Sequence, residues 1–426
     1  MVVGTIIGAS IFVQPSAVTG AVPSVVGIVV VWIVAGLLTL GGSLIAAELA
    51  AAFPVTGGVY VYLTRAFSPA LGFLWGWSMF WTMHTGIIAA IAMVFARYTG
   101  VLVPLSDAEQ RAVAAGAVIV LSAVNYIGVR QGSGLQTALT VAKVLAIAGV
   151  VVAAFALGAP APAPSAQPPT GVTSTGFLLA IAAGLFAYGG WHMVTYAAGE
   201  TIEPQRTIPR ALVAGTVIVT ACYVLLNAAY LYVLPLARVA SSPRIAADAA
   251  DIVLGRGGAV VMSVLVVVST FGALAGIVLA GPRAYLAMAQ DGLIFRRFAD
   301  VHPRYRTPHR AIVLQAVWAC VLVVTGSYRV LVARVVYTEW IFFALMALGL
   351  VALRRRADFA PAYRAPLGVL LPVGFAAAAL LVAANQIVAA PVESATGLVL
   401  ILAGWPVYLL WVRRGMTPSR ILADGD

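Results

Sequence analysis

Long apolar runs, separated by short segments rich in glycine, proline or charge, fill almost the whole chain. The runs are continuous, whereas membrane strands alternate apolar and polar positions, so each run predicts a helix that crosses a bilayer. Twelve spans are predicted, at residues 1–20, 24–52, 69–100, 111–129, 135–158, 175–199, 209–235, 259–288, 310–326, 330–353, 367–389 and 395–412.

The first run is unusual because Pro15 and Gly20 interrupt it early. Apolar residues follow Met1 directly, without the basic segment that opens a signal peptide, so a cleavable leader is not expected. Two interpretations stay open. Either the sequence lacks a leading part of the first helix, or that helix is itself irregular.

Composition supports a membrane protein. Hydrophobic residues make up 62% of the chain and charged residues 9%, with a mean hydropathy of +1.03. A water-soluble domain has about 25% charged residues, so a soluble globule is excluded. Backbone groups in hydrocarbon must be paired internally, and continuous apolar runs satisfy this condition as helices.

The formal charge of +11 could suggest nucleic-acid binding, but its distribution indicates membrane topology instead. With both termini in the cytoplasm, seventeen arginines fall in cytoplasmic loops and the tail, and seven on the other side. Cytoplasmic loops of membrane proteins carry such a basic excess. We therefore predict a multi-pass protein of the cell membrane with cytoplasmic termini, and no nucleic-acid partner.

Small residues interrupt two of the spans. Residues 4–12 of span 1 read Gly-Thr-Ile-Ile-Gly-Ala-Ser-Ile-Phe, and span 6 has Gly189 and Gly190 between aromatic residues. Small residues also permit close helix packing, but two interruptions five spans apart favour an inverted repeat with broken helices. Amides and carbonyls freed at the two breaks would suit a substrate that carries both an anion and a cation.

Several stretches resemble the amino acid–polyamine–organocation superfamily, and most of all its L-type amino acid transporter branch. They are residues 4–12, 47–49, 53–63, 184–191, 200–204, 208–211, 302–303 and 307–308. The resemblance implies an all-α, LeuT-type fold of about twelve helices in which helices 1 and 6 are broken. We expect a single transmembrane domain over 1–426, with repeat halves at about 1–158 and 175–353 and peripheral helices at about 367–412.

The resemblance also implies a substrate site. The carboxylate would lie on amides of span 1 and the amino group on carbonyls of both breaks, with a tryptophan of span 10 as a gate. The implied residues are Ile7, Gly8, Ala9, Ser10, Phe186, Tyr188, Gly189, His192 and Trp340. Ala9 and Ser10 depart from the usual Ser-Gly order, and His192 stands where the L-type branch commonly has asparagine.

Lys143 is the only lysine, and it lies roughly 13 Å along span 5 at about 1.5 Å per residue. An ammonium at that depth costs at least about 2.5 kcal/mol, so a role is expected. The resemblance implies a tethered cation that replaces sodium and bridges span 1 to Ser269 and Thr270 of span 8. A lysine that only holds helices together is the alternative.

Three further polar residues have two interpretations each. Glu339 in span 10 is either a proton-coupling or cation-binding group, or an exposed residue near the outer end. His84 in span 3 is expected to be a hydrogen-bonded packing residue rather than a proton relay. Glu48 in span 2 is expected to pair with an arginine rather than with substrate.

The predicted function is secondary transport of amino acids, most simply neutral ones, without sodium and by proton symport or substrate exchange. The alternatives are a cationic amino acid or polyamine carrier, and a sensor on the same fold. An ion channel would need a continuous polar lining, which the spans lack. Metal-ligand spacings and nucleophile–base motifs are absent from the sequence, so we expect neither enzyme activity nor a cofactor. Cys222 and Cys320 lie in separate apolar runs, so a disulfide-linked partner subunit is not expected.

Overall fold

A computed structural model describes residues 1–8, 10–128, 130–161, 172–255, 257–326 and 328–413. These residues form seventeen α-helices and, within the described ranges, no strand. The helices are α1 (Val2–Ile6), α2 (Gln14–Ala21), α3 (Val25–Ala52), α4 (Val59–Ala66), α5 (Pro69–Ser78), α6 (His84–Leu102), α7 (Asp107–Ile127), α8 (Arg130–Leu157), α9 (Ser174–Ala187), α10 (Pro204–Val233), α11 (Leu236–Ser241), α12 (Ile245–Leu254), α13 (Gly258–Gln290), α14 (His309–Thr325), α15 (Tyr328–Leu353), α16 (Leu370–Ala389) and α17 (Pro391–Arg413).

Side-chain caps explain where several long helices begin. Ser24, Ser68 and Thr173 each accept a hydrogen bond from a backbone N–H in the first turn of α3, α5 and α9. At α7, Ser106 and Glu109 cap each other's backbone N–H in a capping box. The caps satisfy amides that would otherwise be unpaired where each helix starts.

The prediction of an all-α membrane protein is confirmed, and nine of the twelve predicted spans correspond to helical segments of the described chain that are long and apolar enough to cross a bilayer. Two of these segments contain a part that is not an α-helix. The segments Met79–Met83, a π-helix, and Trp191–Glu200, a 3₁₀-helix, continue α5 and α9 respectively. Predicted spans 9 and 10 correspond to the shorter apolar helices His309–Thr325 and Tyr337–Leu353, and predicted span 1 corresponds to the broken pair α1 and α2.

Spans five apart in the chain pack against each other. Helix α3 contacts α10, α6 contacts α13, α7 contacts α14, and α2 contacts α9. Two halves in inverted orientation would place equivalent spans together in this way. The division into halves at about 1–158 and 175–353, with peripheral helices at about 367–412, stays a prediction.

Most described arginines lie at the end of the bundle where α3, α7, α13 and α15 terminate, which we call the arginine-rich end. They are Arg65, Arg206, Arg210, Arg283, Arg296, Arg297, Arg304, Arg306, Arg310, Arg354, Arg355, Arg356 and Arg364. The short helix α4 also lies there, whereas α11 and α12 lie at the opposite end. These three short helices were not predicted, because each is too short to appear as an apolar span.

Candidate functional site

Span 1 is broken between α1 and a 3₁₀ turn at Ser10–Phe12. The backbone leaves the helical region at Ile7, with φ −70° and ψ 88°, so the last carbonyls of α1 have no helical partner. The Lys143 ammonium, on α8, donates to the carbonyls of Gly4 and Ile7, each at 3.0 Å. Only 5% of Lys143 is exposed, so its charge is held in the interior by this break.

A tyrosine that the sequence interpretation missed joins the two breaks. The Tyr223 hydroxyl, on α10, lies 2.9 Å from the Ile6 carbonyl in span 1 and 3.0 Å from the Ala187 carbonyl in span 6. Tyr98 similarly donates to the Phe12 carbonyl at 3.0 Å. A tyrosine inside an apolar span was the available signal, but the sequence alone does not show which carbonyl it reaches.

Span 6 is broken at the predicted glycines. Gly190 has a φ of +95°, which favours glycine, and an added Cβ there would lie 3.0 Å from the Thr5 carbonyl oxygen. The Thr5 hydroxyl lies 3.2 Å from the Gly190 carbonyl and can donate to it. The two breaks therefore touch, and the prediction that helices 1 and 6 are broken is confirmed.

A narrow cavity of about 20 Å³ lies between the breaks, which is room for about one water molecule. Six of the predicted residues line it: Gly8, Ser10, Phe186, Gly189, Glu339 and Trp340. Six residues that were not predicted complete the lining: Thr5, Ile6, Ile87, Ile91, Leu185 and Ile277. The wall is mainly apolar, and its polar side chains are those of Thr5, Ser10 and Glu339.

The remaining predicted substrate residues lie elsewhere. The Tyr188 hydroxyl faces α3, where it donates to the Trp32 carbonyl at 3.2 Å. His192 packs its ring against Trp75 and Phe343, with ring centres 6.1 and 4.9 Å away. Neither side chain, nor Ile7, lines the cavity, and Ala9 lies outside the described residues. For Tyr188 and Ile7 the predicted role concerned the backbone carbonyl, and that role stays a prediction.

Glu339 is a buried acid in the cavity wall. It lies on α15, is 7% exposed, and has no basic group within 4.0 Å among the described residues. The interpretation of Glu339 as a residue exposed near the outer end therefore does not hold. Next to it, Trp340 packs against Phe343 and Phe375, with ring centres 5.7 and 5.6 Å away.

One half of the predicted lysine bridge is present. Lys143 bonds to span 1, but across the described residues no hydrogen bond joins it to Ser269 or Thr270. Thr270 donates to the Val267 carbonyl of its own helix at 3.0 Å, and the buried Ser269 hydroxyl has no hydrogen-bond partner in the part of the chain that the structure describes. The coupling role of these three residues stays a prediction.

Two polar contacts join segments of the bundle at the arginine-rich end. Arg283, on α13, forms two hydrogen bonds with Glu200, at 2.8 and 2.9 Å, where the second part of span 6 ends. Tyr60 donates to Asp291 at 2.6 Å and so ties α4 to the segment after α13. Burial raises the pKa of the Asp291 carboxyl, and the hydrogen bond from Tyr60 opposes that rise.

The expectations for Glu48 and His84 are confirmed. Glu48 is fully buried and pairs with Arg354, whose Nε lies 2.8 Å from one oxygen, and it also accepts from the Ala365 backbone N–H at 2.7 Å. His84 donates to the Ile277 carbonyl of α13 at 2.8 Å. Both side chains hold helices together rather than line the cavity.

The comparisons with known proteins agree with this geometry. The amino acid permease family model matches residues 1–412. This chain belongs to the amino acid permease family. It is therefore a transporter of amino acids and not an enzyme, which confirms the resemblance to the amino acid–polyamine–organocation superfamily.

Three relatives align over nearly the whole chain. The serine/threonine exchanger SteT of Bacillus subtilis is 31% identical, covering 96% of this chain and 94% of that protein. The b(0,+)-type amino acid transporter 1 of Mus musculus is 30% identical, with 97% and 86% covered. The large neutral amino acids transporter small subunit 2 of Oryctolagus cuniculus is also 30% identical, with 97% and 78% covered.

Proposed function

We propose that this permease carries small neutral amino acids across the cell membrane by alternating access, without sodium, in exchange for a second amino acid. One observation carries the proposal: two broken helices meet at a mainly apolar cavity, and the single lysine occupies the carbonyls of one break. The similarity to a serine/threonine exchanger supports exchange and a small neutral substrate.

The two breaks offer complementary groups to an amino acid. Span 1 turns at Gly8 and Ser10, where freed amide N–H groups would donate hydrogen bonds to the carboxylate. Carbonyls near Ile7, Phe186 and Tyr188 would accept the ammonium. Ile87 and Leu185 would then face a neutral side chain, because both line the same cavity.

The size of the cavity implies movement during transport. About 20 Å³ is far below the volume of typical ligand sites, which is about 300 Å³ or more. Phe186 and Trp340 are the large side chains in its wall, so rotation of one or both would open the site. Release on the arginine-rich end would also require the contacts of Arg283 with Glu200 and of Tyr60 with Asp291 to separate.

Lys143 accounts for the proposed independence from sodium. Its ammonium already supplies a positive charge to the carbonyls of Gly4 and Ile7, which a bound sodium ion would otherwise coordinate. A cation fixed to α8 cannot be released with the substrate. The gradient of sodium would then contribute nothing to transport.

A second candidate, carriage of cationic amino acids or proton coupling, rests on Glu339. This carboxyl lines the cavity without a basic partner within 4.0 Å in the described chain, so it could meet either a side-chain cation or a proton. The b(0,+)-type relative is named only as an amino acid transporter, and its name does not decide between these possibilities.

Proteoliposomes test the proposal directly. Uptake of labelled serine, alanine, leucine, lysine and glutamate is measured with and without a counter-substrate inside, in sodium and in choline buffers. We expect saturable uptake of neutral amino acids that internal substrate stimulates and that choline leaves unchanged. Absence of stimulated uptake for the whole panel would overturn the assignment, and a strict sodium requirement would overturn the role of Lys143.

The proposed orientation places the arginine-rich end and both termini in the cytoplasm. A variant without Cys222 and Cys320 receives one new cysteine, at Arg206 on the arginine-rich end or at Ala108 on the opposite end. In intact cells an impermeant thiol reagent should label only Ala108→Cys. Labelling of only Arg206→Cys would reverse the orientation.

A partner subunit is suggested only by the name of one relative. One relative is called a small subunit, whereas Cys222 and Cys320 of this chain are free and lie within helices α10 and α14. We propose that this permease works without a disulfide-linked subunit. A single band of unchanged mobility on non-reducing and reducing gels of native membranes is expected.

A further inference from the structure

An apolar groove of about 880 Å³ runs along the outside of the bundle between α7 and α14, and none of its lining residues lines the cavity between the two breaks. Ala123 and Ile127 line it from α7, and Ala316 and Val317 from α14. Ile127 and Val317 are 61% and 59% exposed, so the groove opens toward the surrounding hydrocarbon. It is a recess in an exposed apolar surface.

The two ends of the groove differ. At one end Arg111, at the start of α7, donates to the Val324 carbonyl at 3.0 Å and joins the two helices. At the other end, the arginine-rich end, Tyr126 lines the groove. The α14 side from Ile312 to Thr325 extends roughly 20 Å at about 1.5 Å per residue, longer than one leaflet of a hydrocarbon core of about 30 Å.

The turn at residues 302–307 is hydrogen-bonded to α7 at the arginine-rich end of the groove. The Thr307 hydroxyl donates to the Tyr126 carbonyl at 2.9 Å, and the His302 N–H donates to the Thr307 carbonyl at 2.9 Å. His302 Nδ1 accepts from the N–H groups of Arg304 and Tyr305, both at 3.2 Å. These bonds explain the His-Pro and Thr-Pro pairs of the sequence, because they dock the turn onto the last residues of α7.

The turn presents positive charge beside the apolar groove. The Arg304 guanidinium lies 5.6 Å from the centre of the Tyr305 ring, which is 6.1 Å from the Tyr126 ring. Arg304 and Arg306 are exposed, and within the described ranges no carboxylate lies within 4.0 Å of either. Arg310 differs because it pairs with Asp300 at 2.7 Å.

We propose that this groove binds one anionic phospholipid, with an acyl chain between α7 and α14 and its phosphate at Arg304 and Arg306. An apolar recess longer than one leaflet, ending at two unpaired arginines, matches a molecule that has a long hydrocarbon chain and one negative head group. Basic pockets between membrane helices bind anionic head groups in this way. A zwitterionic lipid would fill the recess but would gain less from the arginines.

Native mass spectrometry of the purified permease tests the proposal by counting the lipid molecules that the protein retains. The protein is incubated with equal amounts of phosphatidylglycerol and phosphatidylcholine of the same chain length, and retained lipid is counted. We expect one phosphatidylglycerol per protein, and about a five-fold loss of the preference for each arginine removed in Arg304→Gln and Arg306→Gln. Ala123→Phe, which fills the groove, should abolish retention of either lipid.

Two control variants test whether the effects depend on these particular arginines and on this particular groove. Arg296→Gln with Arg297→Gln removes the same charge from the same end, and Ala377→Phe adds the same ring to an exposed position on α16. Both should retain phosphatidylglycerol, and thermal unfolding should show that all variants are folded. Equal retention of the two lipids by the wild type, equal loss in the arginine control, or retention in Ala123→Phe would each overturn the proposal. A dimer that Ala123→Phe dissociates would assign the groove to a second copy and would also overturn it.

Discussion

Replacement of Lys143 by methionine removes the ammonium but keeps the length of the side chain. Two hydrogen bonds from a charged donor, to Gly4 and Ile7, contribute about 1.5–3 kcal/mol each. The cost of placing that charge in the membrane interior is about 2.5 kcal/mol on insertion scales. The difference leaves roughly 0.5–3.5 kcal/mol in favour of the bonded lysine, and Lys143→Met should lose about that much stability.

Such a loss is smaller than a typical unfolding free energy of about 5–15 kcal/mol, so Lys143→Met should still insert and fold. Transport should suffer more, because the carbonyls that the ammonium holds belong to the substrate break. We expect exchange to fall at least about ten-fold, which corresponds to about 1.4 kcal/mol at the transition state. Exchange in proteoliposomes and unfolding in nanodiscs are measured on the same preparation.

Tyr223→Phe is the matched comparison, since it removes one hydroxyl from the same break without removing charge. It should lower stability by about 1 kcal/mol and leave exchange independent of sodium. If Lys143→Met exchanged substrate at the wild-type rate with wild-type stability, neither the structural nor the coupling role would hold. If it lost stability alone, only the role in holding helices together would remain.

The other predictions concern single positions. Gly190→Ala should lower stability by about 1–3 kcal/mol and reduce uptake, because a side chain is strained at that φ and meets the Thr5 backbone. Gly374→Ala, inside α16 and with nothing within 4 Å of an added Cβ, should raise stability by up to about 1 kcal/mol and leave uptake unchanged. Glu339→Gln should reduce any uptake of lysine or arginine at least about 100-fold and leave the exchange of neutral amino acids intact. If only the exchange of neutral amino acids were lost, a role for Glu339 in binding a cationic side chain would be contradicted. Asp291→Asn should remove one contribution to the pH dependence of stability. The raised pKa of the folded carboxyl means that its contribution falls as pH rises above about 3.8, the unfolded value, until the folded pKa is passed. In thermal unfolding from pH 4 upward, the stability of the wild type should therefore fall relative to that of the variant.

The sequence by itself determined the spans and the positions of the breaks. Twenty apolar residues can cross hydrocarbon only as a helix, so composition and run length were sufficient. The glycines at 189 and 190 and the small residues at 4–12 marked the interruptions, because two such interruptions five spans apart favour broken helices over close packing alone. Lys143 and Glu48 were also identifiable, since a charge inside an apolar run requires a partner.

Only the tertiary structure decided which side chains face the cavity. In a helix that is apolar all round, hydrophobic periodicity does not distinguish the face toward lipid from the face toward the core. The sequence therefore did not show that the side chains of Tyr188 and His192 face α3 and an aromatic cluster, or that Thr5 and Ile87 line the cavity. The predicted substrate roles of Tyr188 and His192 stay predictions. Tyr223 is more than two hundred residues from the break in span 1 and more than thirty residues from the break in span 6, yet its hydroxyl contacts both. These contacts depend on how the helices pack, so no local sequence pattern predicts them.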